Sequence, residues 1–299
     1  MSAAISSGRK SQLSELASQQ IVAEHGAVIR RARCGGRGMK ILAIIGSPKG
    51  RGSGYKIVQM IEDRMKTIGD VEFSYLFLKD ANLKPCSGCY TCMAQGEDKC
   101  PLQDDRAAIE QMLLATDGVI LSSPLYVLNV SWLMKNFIDR FAYTNHRPRF
   151  YRQKVLTVVN MGGDSPEMAL SLLSTALGGS RIIYELGIAT PPWPQTERAI
   201  ARKERAIDAA ASKFYGACFD STLPAPTLRN LIVFLARQKA YAESRQYLPA
   251  DYAFYQGKTY YYDSNGNPIK AAMAKAIVEV MVHIMKNKRP GNIPWPEAK

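Results

Sequence analysis

The sequence contains no run of about 18 consecutive apolar residues, the length that an α-helix needs to span a bilayer. Its N-terminal region also lacks the apolar centre of a secretory signal. With 299 residues, of which 46% are hydrophobic, the chain is nevertheless long and apolar enough to bury a substantial core. We therefore expect a globular cytoplasmic protein without a transmembrane segment.

Acidic residues are scarce relative to basic ones, with 26 Asp and Glu against 39 Lys and Arg and a formal net charge of +13. Part of the excess lies in residues 1–38, which we expect to form a mobile basic leader. The remaining positive charge is spread along the chain, without a groove-reading motif or a basic patch interleaved with aromatic residues. The positive charge therefore favours anionic cofactors and partners, whereas its spread along the chain argues against a nucleic-acid partner.

Two common nucleotide-binding motifs are missing after the first predicted strand. The apolar run that begins at Met39 leads into a loop of glycine, serine and basic residues. A P-loop would need Gly-Lys followed by Ser or Thr, and a dinucleotide fingerprint that begins at Gly50 would need glycine where Tyr55 stands. Neither ATP nor a Rossmann-bound NAD is therefore indicated.

The same loop still has the features of an anion site. A buried strand followed by a glycine-rich turn and a helix directs backbone N–H groups towards a bound anion. The side chains that would add hydroxyl groups or positive charge are Ser47, Lys49, Arg51 and Ser53. The loop is predicted to bind the phosphate of a nucleotide-like cofactor, although an ordinary glycine-rich connection would look the same.

Strand and helix patterns alternate five times between residues 40 and 218. Such alternation predicts a doubly wound α/β fold, in which helices cover both faces of a five-stranded parallel sheet. Ligands of these folds bind beyond the carboxyl ends of the strands. The loops predicted at that edge are Gly46–Tyr55, Ser123–Trp132 and Met161–Ser165.

The pattern changes after Asp220. Pro224 and Pro226 mark a boundary, and helical patterns separated by a tyrosine-rich stretch follow. We therefore expect a domain over residues 39–220 and a C-terminal helical extension over residues 221–299. The extension would pack either on the domain or on another subunit.

Four of the six cysteines fall within fifteen residues: Cys86, Cys89, Cys92 and Cys100. Because nothing in the sequence indicates export, this grouping favours a metal or redox site over a disulfide framework. Three cysteines at two-residue intervals can bind one face of an iron–sulfur cluster, and the longer spacer lets the fourth return to the same cluster. A [4Fe–4S] cluster, a zinc site and a thiol-based or structural role all stay open.

A second loop suits a flavin. Ser123–Val127 offers backbone N–H groups that can bond the edge of a heteroaromatic ring, beside a rigid proline. The side chains of Tyr126 and Trp132 can line the face of such a ring. Both aromatic residues could instead simply pack in the core.

The motifs together resemble those of the flavodoxin-like NADPH-dependent FMN reductases, and among these the iron–sulfur flavoproteins. The resemblance covers about residues 39–190. The stretches that carry it are Met39–Lys49, Lys84–Cys92, Cys100 with Asp104 and Asp105, Ser123–Tyr126 and Leu133–Arg140.

The resemblance implies which residues hold FMN. The phosphate would bind Ser47, Lys49, Ser53 and Gly54. The isoalloxazine ring would be held by Pro124, Leu125, Tyr126 and Val127, and a third loop beside it by Met161, Gly162 and Gly163. Where the family usually has Asn-Thr, this sequence has Ser53-Gly54, so one phosphate-binding hydroxyl is missing and Arg51 is the candidate to compensate for it.

The resemblance also implies the reaction. Such an FMN-dependent oxidoreductase takes electrons from NAD(P)H, or from a reduced ferredoxin through an iron–sulfur cluster, and passes them to a small acceptor such as a quinone, a flavin or an oxygen species. The flavin carries the chemistry, so no catalytic acid–base residue is required. The family further implies a homo-oligomer. The alternatives are a non-enzymatic electron-transfer flavoprotein and a flavodoxin-shaped module that binds no flavin.

Overall fold

The computed structural model of the chain describes residues 38–163, 165–264 and 266–288, with side chains up to residue 284. Residues 1–37, which make up nearly all of the expected leader and include Cys34, lie outside the described residues. None of the helices in the described ranges is long and apolar enough to cross a bilayer.

Five strands form one sheet in which neighbouring strands are parallel. Their spatial order is β2-β1-β3-β4-β5, which is the order of flavodoxin-like doubly wound folds. The strands are β1 (Met39–Ile45), β2 (Val71–Phe77), β3 (Gly118–Pro124), β4 (Lys154–Met161) and β5 (Arg181–Ala189). The predicted fold class is thereby confirmed.

Strand β1 is buried on both faces. Its residues Ile41–Ile45 are each at most 1% exposed, although successive side chains of a strand point to opposite sides of the sheet. A strand covered on both sides by helices has no reason to alternate polar with apolar residues. This explains why β1 is a nearly continuous apolar run.

Helices connect the strands and continue after the last one. They are α1 (Ser53–Ile68), α2 (Thr91–Ala94), α3 (Arg106–Leu114), α4 (Trp132–Arg140), α5 (Tyr143–His146), α6 (Glu167–Ser174), α7 (Glu197–Phe219), α8 (Leu228–Glu243), α9 (Pro249–Tyr255) and α10 (Pro268–Lys288). Helices α1 and α7 pack together on one face of the sheet, where Ile57 and Phe214 join the core cluster of Ile41 and Ala43.

The chain forms two compact units. The first contains the sheet and consists of the described residues up to Pro85, Asp104–Phe141 and Phe150–Ser221. The second consists of Cys86–Gln103, Ala142–Arg149 and the described residues from Thr222 onward. The cysteine segment thus shares a unit with the C-terminal helices, and the domain boundaries drawn from the sequence stay a prediction.

The second unit has an aromatic core of its own. Phe234 of α8 and Tyr255 of α9 are 0% and 1% exposed, and their ring centroids are 5.4 Å apart. Tyr261 meets Phe234 edge to face at 4.8 Å. Helix α8 begins at a capping box in which Thr227 and Asn230 satisfy each other's backbone N–H groups.

Candidate functional site

Backbone hydrogen bonds join the loops at the carboxyl edge of the sheet. Gly46 N–H donates to the carbonyl of Ser122 at 2.8 Å, and Leu125 N–H donates to that of Asn160 at 2.8 Å. Thr190 N–H donates to the carbonyl of Met161 at 2.7 Å. The loops after β1, β3, β4 and β5 therefore form one continuous rim, and this rim includes the loops predicted to bind FMN.

The loop after β1 is a tight turn built on Ser47. Ser47 is buried, its hydroxyl accepts from Lys49 N–H at 3.3 Å, and its carbonyl accepts from Gly50 N–H at 2.9 Å. Gly50 has a φ of +63°, a conformation that favours glycine. The turn leaves the side chains of Lys49 and Arg51 exposed, where they can meet an anion.

Helix α1 has no side-chain cap at its start. Its N-cap residue Gly52 makes no side-chain cap, and the first turn contains no acidic residue. The first N–H groups of a helix lack partners within the helix and carry the positive end of its dipole. The start of α1 is therefore suited to bind an anion together with Ser47 and Lys49.

Position 54, in the first turn of α1, has no room for a side chain. A Cβ atom on Gly54 would lie 2.7 Å from Asn160 Oδ1 and 3.0 Å from Ser122 Oγ. The first of these distances is shorter than Cβ contacts in proteins allow. Gly54 therefore lets the first turn of α1 lie close against the ends of β3 and β4. A threonine would not fit at this position without movement of Asn160.

Asn160 is a residue of the site that the sequence analysis missed. Within the described part of the chain, its buried Oδ1 has no hydrogen-bond partner, which is rare for a buried polar atom. This acceptor lies beside the first turn of α1. The only signal in the sequence was a polar residue near the end of an apolar strand, immediately before Met161.

The loop after β3 contains a strained and exposed turn. Tyr126 and Asn129 exchange backbone hydrogen bonds of 2.8 and 3.0 Å around Val127 and Leu128, whose φ values are +50° and +61°. Positive φ is unfavourable for bulky residues, and such strain is concentrated at ligand sites. Val127 is 98% exposed, so the turn presents apolar side chains at the rim instead of burying them.

Exposure of the nearby aromatic side chains argues against core packing. Tyr126 is 47% exposed and Trp132 is 64% exposed. Two further apolar side chains at this edge, Met168 and Trp193, are also exposed and were not singled out from the sequence. The rim is therefore rich in accessible apolar surface, as a site for a planar heteroaromatic ligand requires.

The side chain of Ser131 connects the loop after β3 to the loop after β1. Ser131 N–H donates to Ser123 Oγ at 2.9 Å, and Ser131 Oγ donates to the carbonyl of Gly46. The same hydroxyl caps α4 by accepting from Met134 N–H at 3.2 Å.

The loop after β4, the third loop predicted to border the flavin, is open. A Cβ atom on Gly162 or Gly163 would meet no heavy atom within 4 Å.

The cysteine segment carries its thiols on short turns. Cys86 and Cys89 are exposed, whereas Cys92 in α2 and Cys100 after a 3₁₀ turn (Glu97–Lys99) are half-buried. Burial raises the pKa of the Cys92 thiol, and the neighbouring thiols of Cys100, Cys86 and Cys89 raise it further. A hydrogen bond from the Thr91 hydroxyl lowers the pKa of Cys89.

These thiols interact with one another but do not enclose a metal position. Among the described residues, no group of three or more His, Cys, Asp or Glu side chains is arranged to hold a metal ion. The donor set nevertheless fits an iron–sulfur cluster chemically, since it offers four cysteines whose thiols influence one another around Cys92.

In the first unit, Arg140 and Asp104 form a buried ion pair that also binds the backbone of Lys84. The buried guanidinium of Arg140 donates to Asp104 Oδ1 at 2.9 Å and to the carbonyl of Lys84 at 2.7 Å. Asp104 Oδ2 also accepts from Lys84 N–H at 2.9 Å. Burial alone would raise the pKa of Asp104, but the hydrogen bonds from Arg140 and from backbone N–H groups hold it below its ordinary value.

Comparison with known proteins gives consistent similarities. Residues 39–184 match the family model described as NADPH-dependent FMN reductase. An iron–sulfur flavoprotein of Archaeoglobus fulgidus is 32% identical over 161 residues, which cover 52% of this chain and 70% of the relative. An iron–sulfur flavoprotein of Clostridioides difficile is 28% identical over 204 residues, covering 66% and 87%. A solved flavone reductase aligns with 16% identity and a TM-score of 0.48, over 62% of this chain and 66% of that structure.

Proposed function

Because the chain belongs to the NADPH-dependent FMN reductase family, in its iron–sulfur flavoprotein subgroup, we propose that it is an oxidoreductase that uses FMN to pass electrons from NAD(P)H to a small acceptor. The observation that carries the proposal is the rim at the carboxyl edge of the sheet. It combines an uncapped helix start with an exposed apolar turn, so one end suits a phosphate and the other a flat ring.

The first unit offers groups for each part of FMN. We assign the phosphate to Ser47, Lys49, Arg51, Ser53 and the backbone of Gly54. We assign the ring to Pro124, Leu125, Tyr126 and Val127, with Gly162 and Gly163 beside it. The orphaned Oδ1 of Asn160 would accept a hydrogen bond from a ligand hydroxyl, which the ribityl chain supplies.

When bound, FMN would supply the redox chemistry, because a flavin can take up the two electrons of a hydride and pass both on, singly or as a pair. The protein's part is to bind, to orient and to limit the access of water. The apolar turn at Val127 and the exposed ring of Trp132 would cover a flat ligand, and the fixed Ser131 would keep the two loops at a constant separation. Quinones, free flavins and oxygen species are the small acceptors that we propose.

The cysteines would hold a second centre. We propose that Cys86, Cys89, Cys92 and Cys100 bind a [4Fe–4S] cluster, through which a reduced ferredoxin could deliver electrons. The iron and acid-labile sulfide contents of anaerobically reconstituted protein test this assignment, and a site that takes up zinc alone would contradict it. We also propose that the protein forms a homo-oligomer, as the family resemblance implies.

A double variant tests the FMN site. Ser47→Ala with Lys49→Ala removes a hydroxyl and a cation from the proposed phosphate loop, so we expect the dissociation constant for FMN to rise at least roughly tenfold. Quenching of flavin fluorescence measures it. Lys56→Ala, an exposed lysine in the next turn of α1, is the matched control and should leave FMN affinity near that of the parent.

Two results would contradict the proposal. Unchanged FMN affinity in the double variant would mean that the phosphate binds elsewhere. A flavin that neither NADPH nor NADH reduces under anaerobic conditions would exclude the reductase activity and leave the non-enzymatic electron-transfer flavoprotein.

A further inference from the structure

Arg147 binds backbone groups of the cysteine segment in the second unit. Its guanidinium donates to the carbonyls of Cys92 and Met93, at 2.5 and 3.3 Å, and to Glu97 Oε2 at 2.9 Å. The side chain is 4% exposed. One buried cation thus connects helix α2, which carries Cys92, with the 3₁₀ turn that leads directly into Cys100.

Asp251 of α9 fixes the position of this cation. Its carboxylate is 0% exposed, with Oδ1 accepting from Arg147 Nη1 and Oδ2 lying 2.8 Å from His146 Nδ1. His146 is itself held, because its carbonyl accepts from the Tyr255 hydroxyl at 2.8 Å. A buried carboxylate is stable only when paired and hydrogen-bonded, and here both of its oxygens have partners.

The guanidinium of Arg147 donates to more hydrogen-bond acceptors than a lysine ammonium group could reach. Arg147 presents a planar fork of donors to two carbonyls and two carboxylates, and a single ammonium group cannot reproduce this pattern. Its charge also acts electrostatically on the thiol of Cys92. The arrangement therefore combines fixed geometry with positive charge at the half-buried cysteine.

We propose that Arg147 and Asp251 are positioning residues for the cysteine-bound cluster, so that the C-terminal helices determine how Cys92 and Cys100 are presented. The inference rests on the proposed function, which assigns a cluster to these cysteines. Groups that orient metal ligands typically change metal affinity by roughly 10- to 100-fold when they are mutated. Asp251 is linked through Arg147 to the backbone of Cys92, and is in that sense comparable to such groups.

Two variants disturb the pair of Arg147 and Asp251 in different ways. Asp251→Asn keeps the shape of the side chain but removes the carboxylate, whereas Arg147→Lys keeps the charge but loses the fork. We expect both proteins to lose iron to a chelator at least about tenfold faster than the parent. We also expect an altered EPR spectrum of the reduced cluster and a shifted reduction potential, which a merely structural role would not change.

Glu279→Gln is the matched control, because it removes the Lys239–Glu279 ion pair of the same unit and leaves Arg147 untouched. FMN affinity and circular dichroism are measured for all proteins. If one of the two test variants does not fold, the measurements on the other variant still test the inference. Folded variants with the iron retention, EPR spectrum and potential of the parent would refute the inference. A parent protein that binds no iron and sulfide would instead refute the cluster assignment, and the inference with it.

Discussion

At the scale of single residues, the absence of a side chain at Gly54 has a structural reason. Its backbone approaches Asn160 and Ser122 so closely that a Cβ atom would contact both. A side-chain hydroxyl at this position therefore has no space here unless Asn160 moves, and the polar atom that a Cβ atom would approach most closely is Asn160 Oδ1.

Gly54→Thr tests this relation. Because the new Cβ would lie 2.7 Å from Asn160 Oδ1, we expect the free energy of unfolding to fall by about 1–3 kcal/mol, as in other overpacked sites. FMN affinity should not rise, although a hydroxyl has been added. Urea unfolding and flavin fluorescence measure the two effects.

The double variant Gly54→Thr with Asn160→Ala is the control, since it removes the obstructing oxygen and should recover part of the stability. If Gly54→Thr alone binds FMN more tightly and unfolds like the parent, the packing argument is wrong.

At the scale of elements, the loops of the rim differ in how they are restrained. The loop after β1 and the start of α4 are fixed by Ser47 and Ser131. The turn at Val127 and Leu128 instead holds two bulky residues at positive φ in solvent, a conformation that costs free energy and that Asn-Gly would adopt more readily. Contact of this turn with a ligand would explain why Val127 and Leu128 are found at these two positions.

The buried ion pair of Asp104 and Arg140 permits a prediction about pH. Asp104→Asn would leave the buried Arg140 without its charged partner, so we expect a loss of about 3–5 kcal/mol in the free energy of unfolding at neutral pH. In the parent, the pKa of Asp104 lies below its ordinary value of 3.8. Its contribution is therefore complete above that value and disappears as the pH falls through the folded-state pKa.

The difference between parent and Asp104→Asn should accordingly shrink on acidification, which urea unfolding at neutral pH and at about pH 3 measures. Asp139→Asn, which removes an exposed ion pair with Lys135 from the same helix as Arg140, is the control and should cost at most about 1 kcal/mol. A difference that is independent of pH would show that the carboxylate charge is not responsible.

At the scale of the whole molecule, local patterns in the sequence were sufficient for the sheet but not for the contacts between distant segments. The apolar run Ile41–Ile45 and the glycine-rich loop after it indicate a buried strand and a turn by themselves. Arg147 pairs with Asp251, which lies 104 positions further along the chain. The sequence around either residue does not indicate this pairing. The positive φ of Val127 could not be predicted from the sequence, because valine is unfavourable in that conformation.

Each of the two units buries its own aromatic side chains. The contribution of each unit to stability and to FMN binding can therefore be measured separately. Phe214 lies in the core of the first unit and Phe234 in that of the second, and both are 0% exposed. Phe→Ala at either position should cost about 3–5 kcal/mol in the free energy of unfolding, because each removes the same buried ring.

The effects on FMN binding should nevertheless differ. The residues proposed to hold FMN all belong to the first unit, so Phe214→Ala should weaken FMN binding as its unit loosens, whereas Phe234→Ala should leave the dissociation constant near that of the parent. Flavin fluorescence under mildly denaturing urea, followed alongside circular dichroism, measures both quantities. If Phe234→Ala abolishes FMN binding while Phe214→Ala retains it, the flavin site depends on the second unit, and its assignment to the rim of the first would have to be abandoned.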